Sequence, residues 1–319
     1  MALLLHESDV ERYLPMADAV AAVEAAFRHL GSGAAQNIPR ARTRLPNGQM
    51  HVMAAADPAL GYLGLKAYTT IGGRARFVVL LFSTQTGELL AVMEADTLGQ
   101  RRTGAASGVA TRYMARTDAQ IVGVYGTGWQ ARSQVAAIAA VRDIRQIRAY
   151  SRGAERRAAF VRDISEGLAI DVVAVDQPHL AAEGADILVT ITSAREPVLR
   201  GEWLTPGVHI NAAGSNALVR RELDDAAVQR CDRIVADAVD QARVEAGDLL
   251  PLIERGTLHW GQVHGLGEVV TGSYPGRVGE QEITLFKSLG LAVEDIAAAG
   301  VVYERAVADG AGQQISMFA

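Results

Sequence analysis

The sequence predicts an α/β protein whose larger part is a doubly wound parallel sheet. Three observations carry that prediction. A glycine-rich corner closes an apolar run at 121–131, and apolar runs then alternate with helical stretches to about residue 254. Before residue 95 the pattern is different, with short β-type runs separated by turn signals.

The corner reads AQIVGVYGTGWQA from Ala119 to Ala131. After Ile121–Tyr125 come Gly126, Gly128 and Ala131, spaced G-x-G-x-x-A. Gly126 permits a tight turn, Gly128 lets a pyrophosphate approach the backbone, and Ala131 lets the next helix pack close to the strand. The helix N-terminus then aims N–H groups at phosphates. Apolar runs follow at 147–150, 172–175, 187–191, 208–213 and 234–236, with helical stretches near 129–141, 154–166, 221–229 and 238–254. Such repeated β-α units turn a common glycine loop into a dinucleotide-binding corner held by Gly126, Thr127, Gly128, Trp129 and Gln130. Thr190 and Thr192 stand at a strand end, where such sheets bind ligands. Asp237 stands at another, as a ligand contact or as the cap of the following helix.

The second strand of this sheet ends in Tyr150-Ser151-Arg152. NAD sites usually place a carboxylate here for the ribose 2′-OH. A hydroxyl and a guanidinium suit a 2′-phosphate instead, with Arg156 and Arg157 close behind. NADP(H) is the preferred cofactor, with NAD(H) possible.

The other elements are read in order. Residues 1–30 form a strand and a helix, with Pro15 at the helix start and Val20, Val23 and Phe27 at helical spacing. Residues 38–95 form mostly antiparallel sheet, with a hairpin of 77–82 and 89–93. A helix over 97–115 carries Arg101 and Arg102, and a final helix is expected from Glu282 through Tyr303.

The 319 residues allow two domains, and 49% hydrophobic with 21% charged residues describes a globular chain with a sizeable core. A net charge of −5 without a basic block argues against nucleic acid or an anionic membrane surface as partner. No apolar window approaches a membrane span, and the N-terminus has no secretory signal pattern. The single Cys231 excludes a cysteine metal cluster and fits a reducing, cytoplasmic compartment.

Several motifs stand in a fixed order: GLKAYTT around Lys66, RRTGAAS around Arg102, YGTGWQA, VTITS, INAAGSN, ADA at 236–238, and EITLFKSLGLAVEDIA. Together, across essentially the whole chain, they resemble the ornithine cyclodeaminase/mu-crystallin family. The resemblance implies a Rossmann-type domain at 115–285. It would be inserted into a smaller α+β substrate-binding and dimerisation domain made of 1–114 and 286–319. It also implies a homodimer and hydride chemistry at an imino- or amino-acid carbon. Arg102 would hold the substrate carboxylate, its planar fork suiting that group. Arg42 would be a second such arginine, with Arg40 and Arg44 as rivals, and Lys66 would manage the imine proton. Arg101 is read as structural or as a phosphate contact.

Two positions depart from the cyclodeaminases. Asn216 stands where they carry an aspartate after the INAxG strand, and asparagine exchanges no proton at neutral pH. His51 stands near the position of their glutamate for the distal amine. It is either a proton relay or a packed or solvent-facing ring. Asn216 remains a substrate contact. His209, His259 and His264 show no ligand spacing. The expected activity is NAD(P)H-dependent reduction of an α-imino acid (a ketimine), reversible as an amino-acid dehydrogenase. Ornithine cyclodeaminase and a non-catalytic NADPH- or ligand-binding protein are the rivals.

Overall fold

The computed structural model describes residues 1–316. It divides into two compact units, one of Met1–Arg102 with the chain from Leu291 onward, the other of Thr103–Gly290. The sequence sets these divisions at 114/115 and 285/286.

The first unit opens with β1 (Ala2–Leu5), α1 (Glu7–Tyr13) and α2 (Met16–Gly31). Helix α2 starts behind Pro15 and buries Val20, Val23 and Phe27 along one face. Five strands follow: β2 (Gln36–Leu45), β3 (Gly48–Asp57), β4 (Tyr62–Ile71), β5 (Arg74–Ser83) and β6 (Leu89–Glu94). Each pairs antiparallel with the next, including the β5/β6 hairpin. Helix α3 (Asp96–Met114) comes next, and the division between the units falls within it, after Arg102. The Glu7 carboxylate caps its start, accepting the N–H of Asp96 at 2.6 Å and of Thr97 at 2.9 Å.

The second unit contains β7 (Ile121–Tyr125), α4 (Trp129–Ala139), β8 (Gln146–Tyr150), α5 (Ala154–Leu168), β9 (Asp171–Ala174), α6 (Pro178–Ala182) and β10 (Ile187–Thr190). It continues with β11 (His209–Ala212), α7 (Asp225–Gln229), β12 (Arg233–Ala236), α8 (Val239–Glu245) and α9 (Leu250–Glu254). Then come β13 (Val263–Gly265), α10 (Leu266–Thr271) and β14 (Thr284–Lys287). Its eight strands run β13-β12-β14-β11-β10-β7-β8-β9, every pair parallel. Val124 and Ile147 meet Val135, Ile138 and Phe160 in one core, while Leu188, Ile210 and Leu285 enter another. Burial on both faces is why these strands read as continuous apolar runs. Strand order reverses between β7 and β10, so the glycine corner at the end of β7 lies at the topological switch point.

The end of the chain corrects the sequence reading. Residues 282–303 are not one helix. β14 inserts between β11 and β12, Gly290 turns the chain with φ +83°, and α11 (Ala292–Asp309) begins only then. A four-residue strand buried on both faces has no alternation, so Leu285-Phe286 merged with the apolar spacing of the helix behind it.

β15 (Gln313–Ile315) completes the first unit's sheet, ordered β15-β1-β6-β5-β4-β3-β2. Helix α11 packs on β3 and β4. Register places Arg42, His51, Tyr68 and Phe77 in one cross-strand row, with Met53, Lys66 and Val79 in the next. The opposite face leaves Ile38, Leu45, Met50, Val52 and Leu63 exposed.

Candidate functional site

In the second unit, backbone makes the site. Gly126 has φ +108° and donates its N–H to the Tyr150 carbonyl at 2.8 Å. A Cβ there would stand 2.4 Å from the Ile191 carbonyl oxygen, so turn and close approach both require glycine. Gly128, the residue before α4, is different: a Cβ would meet nothing within 4 Å, because that side opens onto a cavity. Ala131 is fully buried.

The cavity, about 740 Å³, is lined by Gly126, Thr127, Gly128, Ser151, Arg152 and Thr192 of the expected set. Thr127 and Ser151 join hydroxyl to hydroxyl at 2.7 Å, tying the glycine loop to the end of β8. Arg156 also lines it, whereas Arg157 turns to the Ser151 carbonyl. Arg195, Glu196 and Arg200, on the loop after β10, complete the rim. Sequence reasoning missed them, and their only signal is position, on a loop leaving a strand end at the switch point. The glycine-sized cradle, the open helix start and the arginines suit a dinucleotide's phosphates.

Other expected contacts lie outside the cavity. Trp129 is exposed and Gln130 lies half-buried in the first turn of α4. Asp237 is spent on backbone: Oδ2 accepts from Leu289 at 2.5 Å and Gly290 at 2.6 Å, and Oδ1 from Ala238 at 2.9 Å. In this geometry Asp237 clamps the turns after β12 and β14, and α8 starts with no side-chain cap. Thr190 is buried, donating to Glu222 Oε2 at 3.1 Å. Glu222 also accepts the N–H groups of Thr192 at 2.6 Å and Gly214 at 2.8 Å. Burial raises its pKa, with Lys287 opposing. Lys287 bridges Asp248 at 2.9 Å and donates to the Ser215 carbonyl at 2.7 Å. This buried network fixes the loop carrying half-buried Asn216. Its sequence signal was a lysine inside an apolar run.

In the first unit, side chains make the site. Lys66 is 2% exposed on β4, with Nζ 2.9 Å from Asp295 Oδ1. Arg102 Nε shares that oxygen at 2.9 Å, and its Nη1 meets Glu294 Oε2 at 2.8 Å. Burial pushes the Lys66 pKa down to about 8; Asp295 opposes this, while Arg102 and Arg40 add to it. Burial pulls on Arg102 too, but Asp295 and Glu294 outweigh it and hold its pKa above the ordinary value. Room for the ammonium comes from Gly99, where a Cβ would stand 2.7 Å from Lys66 Nζ. Arg101 is structural, donating to the carbonyls of Glu11 and Leu14 at 2.8 and 2.6 Å.

Arg40 is buried against Met53 Sδ at 3.3 Å, Arg42 is half-buried opposite His51, and Arg44 is exposed. The His51 ring stacks on Tyr68 at 4.1 Å with a 4° interplanar angle, and Tyr68 stacks on Phe77 at 4.8 Å. Lys66 Nζ lies 6.0 Å from the centre of the Tyr68 ring. Burial, then Arg42 and Arg40, push the His51 pKa down to about 4, so the ring is neutral at pH 7. Among the described residues, neither nitrogen of His51 has a hydrogen-bond partner, and Asp295 Oδ2 has none either.

The corner and its sheet define the class, an α/β protein with a dinucleotide-type glycine corner at the switch point of a parallel sheet. More narrowly, the chain belongs to the ornithine cyclodeaminase/mu-crystallin family, whose model matches residues 1–310. It is 36% identical to an alanine dehydrogenase of Archaeoglobus fulgidus, over 99% of this chain and 98% of that one. The Δ(1)-pyrroline-2-carboxylate reductase of Thermococcus litoralis, solved with NADH and L-proline, superposes with a TM-score of 0.94. It is 36% identical and covers 98% of this chain and 100% of its own. An archaeal alanine dehydrogenase dimer with bound NAD matches with a TM-score of 0.94 and 34% identity, over 99% of each chain. Among the described residues, no helix is long and apolar enough to cross a membrane.

Proposed function

We propose that this chain is an NADP(H)-preferring reductase of α-imino acids, reversible as an amino-acid dehydrogenase. The observation that carries this reading is the buried Lys66 ammonium, poised near pH 8 on a carboxylate it shares with Arg102. Reduction of an imine needs a proton at nitrogen as carbon accepts hydride, and a lysine with this pKa holds one at neutral pH. When bound, the reduced nicotinamide supplies the hydride that, with one proton, converts C=N to CH–NH and leaves the oxidised ring. Lys66 holds and returns the proton. Arg102, fixed by two carboxylates, and Arg42 hold the substrate carboxylate, so orientation is set before reaction. Alanine and proline, in the relatives' names and ligands, are amino acids that such a reaction forms or consumes.

Preference for NADP(H) rests on Arg152, Arg156 and Arg195, facing the cavity against the carboxylate of Glu196, while Arg200 on the same rim pairs with Glu202. A ligand with an added phosphate suits that balance better. A homodimer is proposed through the exposed apolar sheet face of Ile38, Met50 and Val52, a second copy being the partner that a dimeric relative supports. Mass determination in solution, with Val52→Asp expected to yield monomer, tests it. The lone Cys231 fits a cytoplasmic setting.

The deciding experiment offers pyrroline- and piperideine-carboxylates, and pyruvate with ammonium, to the purified protein with NADPH and NADH. Turnover of at least one imino acid, with NADPH preferred, is expected. No turnover of any, together with conversion of ornithine to proline and ammonia, would overturn the reading.

A further inference from the structure

Glu222 is fully buried in the second unit, just ahead of α7, and the proposed reaction uses no group there. A buried carboxylate is costly unless its lone pairs find donors. Here the donors come from two neighbouring strand ends. Oε1 accepts the N–H of Thr192 at 2.6 Å, while Oε2 accepts the N–H of Gly214 at 2.8 Å and the Thr190 hydroxyl at 3.1 Å. Thr190 ends β10, and Thr192 and Gly214 lie just beyond β10 and β11. The carboxylate reaches them because residue 214 is glycine. A Cβ there would stand 2.4 Å from Oε1 and 2.3 Å from the Thr192 nitrogen.

The main chain of the same residue holds the far end of the loop that leaves β10. The Glu222 carbonyl accepts the N–H of Val198 at 2.8 Å and of Leu199 at 3.0 Å. One residue therefore grips this loop at both ends, through its side chain at Thr192 and through its backbone at Val198 and Leu199. Between the grips, every residue from Thr192 to Val198 lines the cavity beside the glycine corner. The first grip also adjoins the corner itself, since a Cβ at Gly126 would lie 3.1 Å from Thr192 Cγ2. Glu222 is anchored in turn. Its N–H donates to Asp248 Oδ1 at 2.7 Å, and Asp248 pairs with the buried Lys287 of β14, an inner strand. The loop is thus tied to the middle of the parallel sheet. Glu222 stands behind the cavity wall, so it acts on a ligand only through the loop.

We propose that Glu222 is a positioning residue for the nucleotide, holding the loop of residues 192–198 in its binding form before the nucleotide arrives. This rests on the nucleotide-binding part of the reductase reading. A loop ordered in advance adds no ordering penalty to binding, whereas a loosened one must be ordered each time, and the filled site is then the same. The effect therefore falls on nucleotide affinity and spares kcat at saturation.

Glu222→Gln tests this, because it keeps the shape and sets an NH2 donor against a backbone N–H. NADPH and NADH affinities are measured by fluorescence titration, and kcat and KM with pyrroline-2-carboxylate. Amide hydrogen exchange of the ligand-free protein is followed by mass spectrometry. Kd and KM for the nucleotide should rise about tenfold, the size of one hydrogen bond to a charged group, with kcat at saturating nucleotide near wild type. Exchange should quicken across 192–199 and stay unchanged in β7. Thr190→Val, which removes one donor and leaves both amides held, should weaken binding several-fold and stands in should the glutamine variant not fold. Unchanged affinity and loop exchange, a loss confined to kcat, or equal quickening in β7 overturns the brace while nucleotide binding stands. A wild type that binds nucleotide but reduces no imino acid overturns the reductase reading and leaves the brace, which affinity and exchange report. A wild type that binds neither nucleotide overturns both.

Discussion

The glycine corner and the lysine face solve the same problem, holding charge, with opposite materials. In the corner the main chain does the holding. Gly126 and Gly128 clear space, the start of α4 presents N–H groups, and the arginines of the rim stand in solvent. On the lysine face, side chains do it. Lys66 and Arg102 are buried with Glu294 and Asp295, and each charge depends on its partner. The backbone site depends on the absence of an atom at Gly126, while the buried ionic site depends on every charge keeping its partner.

The sharpest separation comes from Lys66→Met. Loss of a proton-transfer group should lower kcat about a hundred- to ten-thousand-fold, while nucleotide affinity, measured by fluorescence titration, stays near wild type. Equal loss of nucleotide affinity would erase the distinction. Asp295→Asn comes next. It strands the buried Lys66 and leaves Arg102 with Glu294 alone, and should cost about 3–5 kcal/mol in denaturant unfolding. A cost below about 1 kcal/mol would mean the face is wetter than its burial indicates. In the corner, Gly126→Ala should weaken nucleotide binding at least about tenfold, since a Cβ must displace backbone at Ile191. Smaller is the pH response. With Lys66 poised near 8, the reductive rate should hold below that pH and fall as pH rises through it, by about tenfold per unit at most. A flat profile to pH 10 would remove Lys66 as proton holder. The gentlest probe is Gly99→Ala. Its Cβ meets only the end of a flexible lysine, so the melting temperature should barely move while kcat drops several-fold.

How far each region was legible follows from the same contrast. The corner is local: strand, turn and helix lie within a few residues, so spacing alone announced Gly126, Gly128 and Ala131. The face is not local. Lys66 meets a carboxylate 229 positions away, and no spacing connects them. Lys66 and Arg102 were reached through the order of motifs, and their counter-ions were not reached at all, because acids in a helix resemble a solvated face. Asp237 looked equally suited to ligand or cap until its oxygens were found filled by amides. β14 was hidden because a strand buried on both sides carries no period.

The buried acids of α11 also bear on the order of synthesis. Glu294 and Asp295 follow β14, an inner strand of the parallel sheet, by only a few residues. A nascent chain therefore lacks a middle strand of that sheet for almost as long as Lys66 and Arg102 lack their counter-charges. Both units close late in synthesis, and neither waits long for the other.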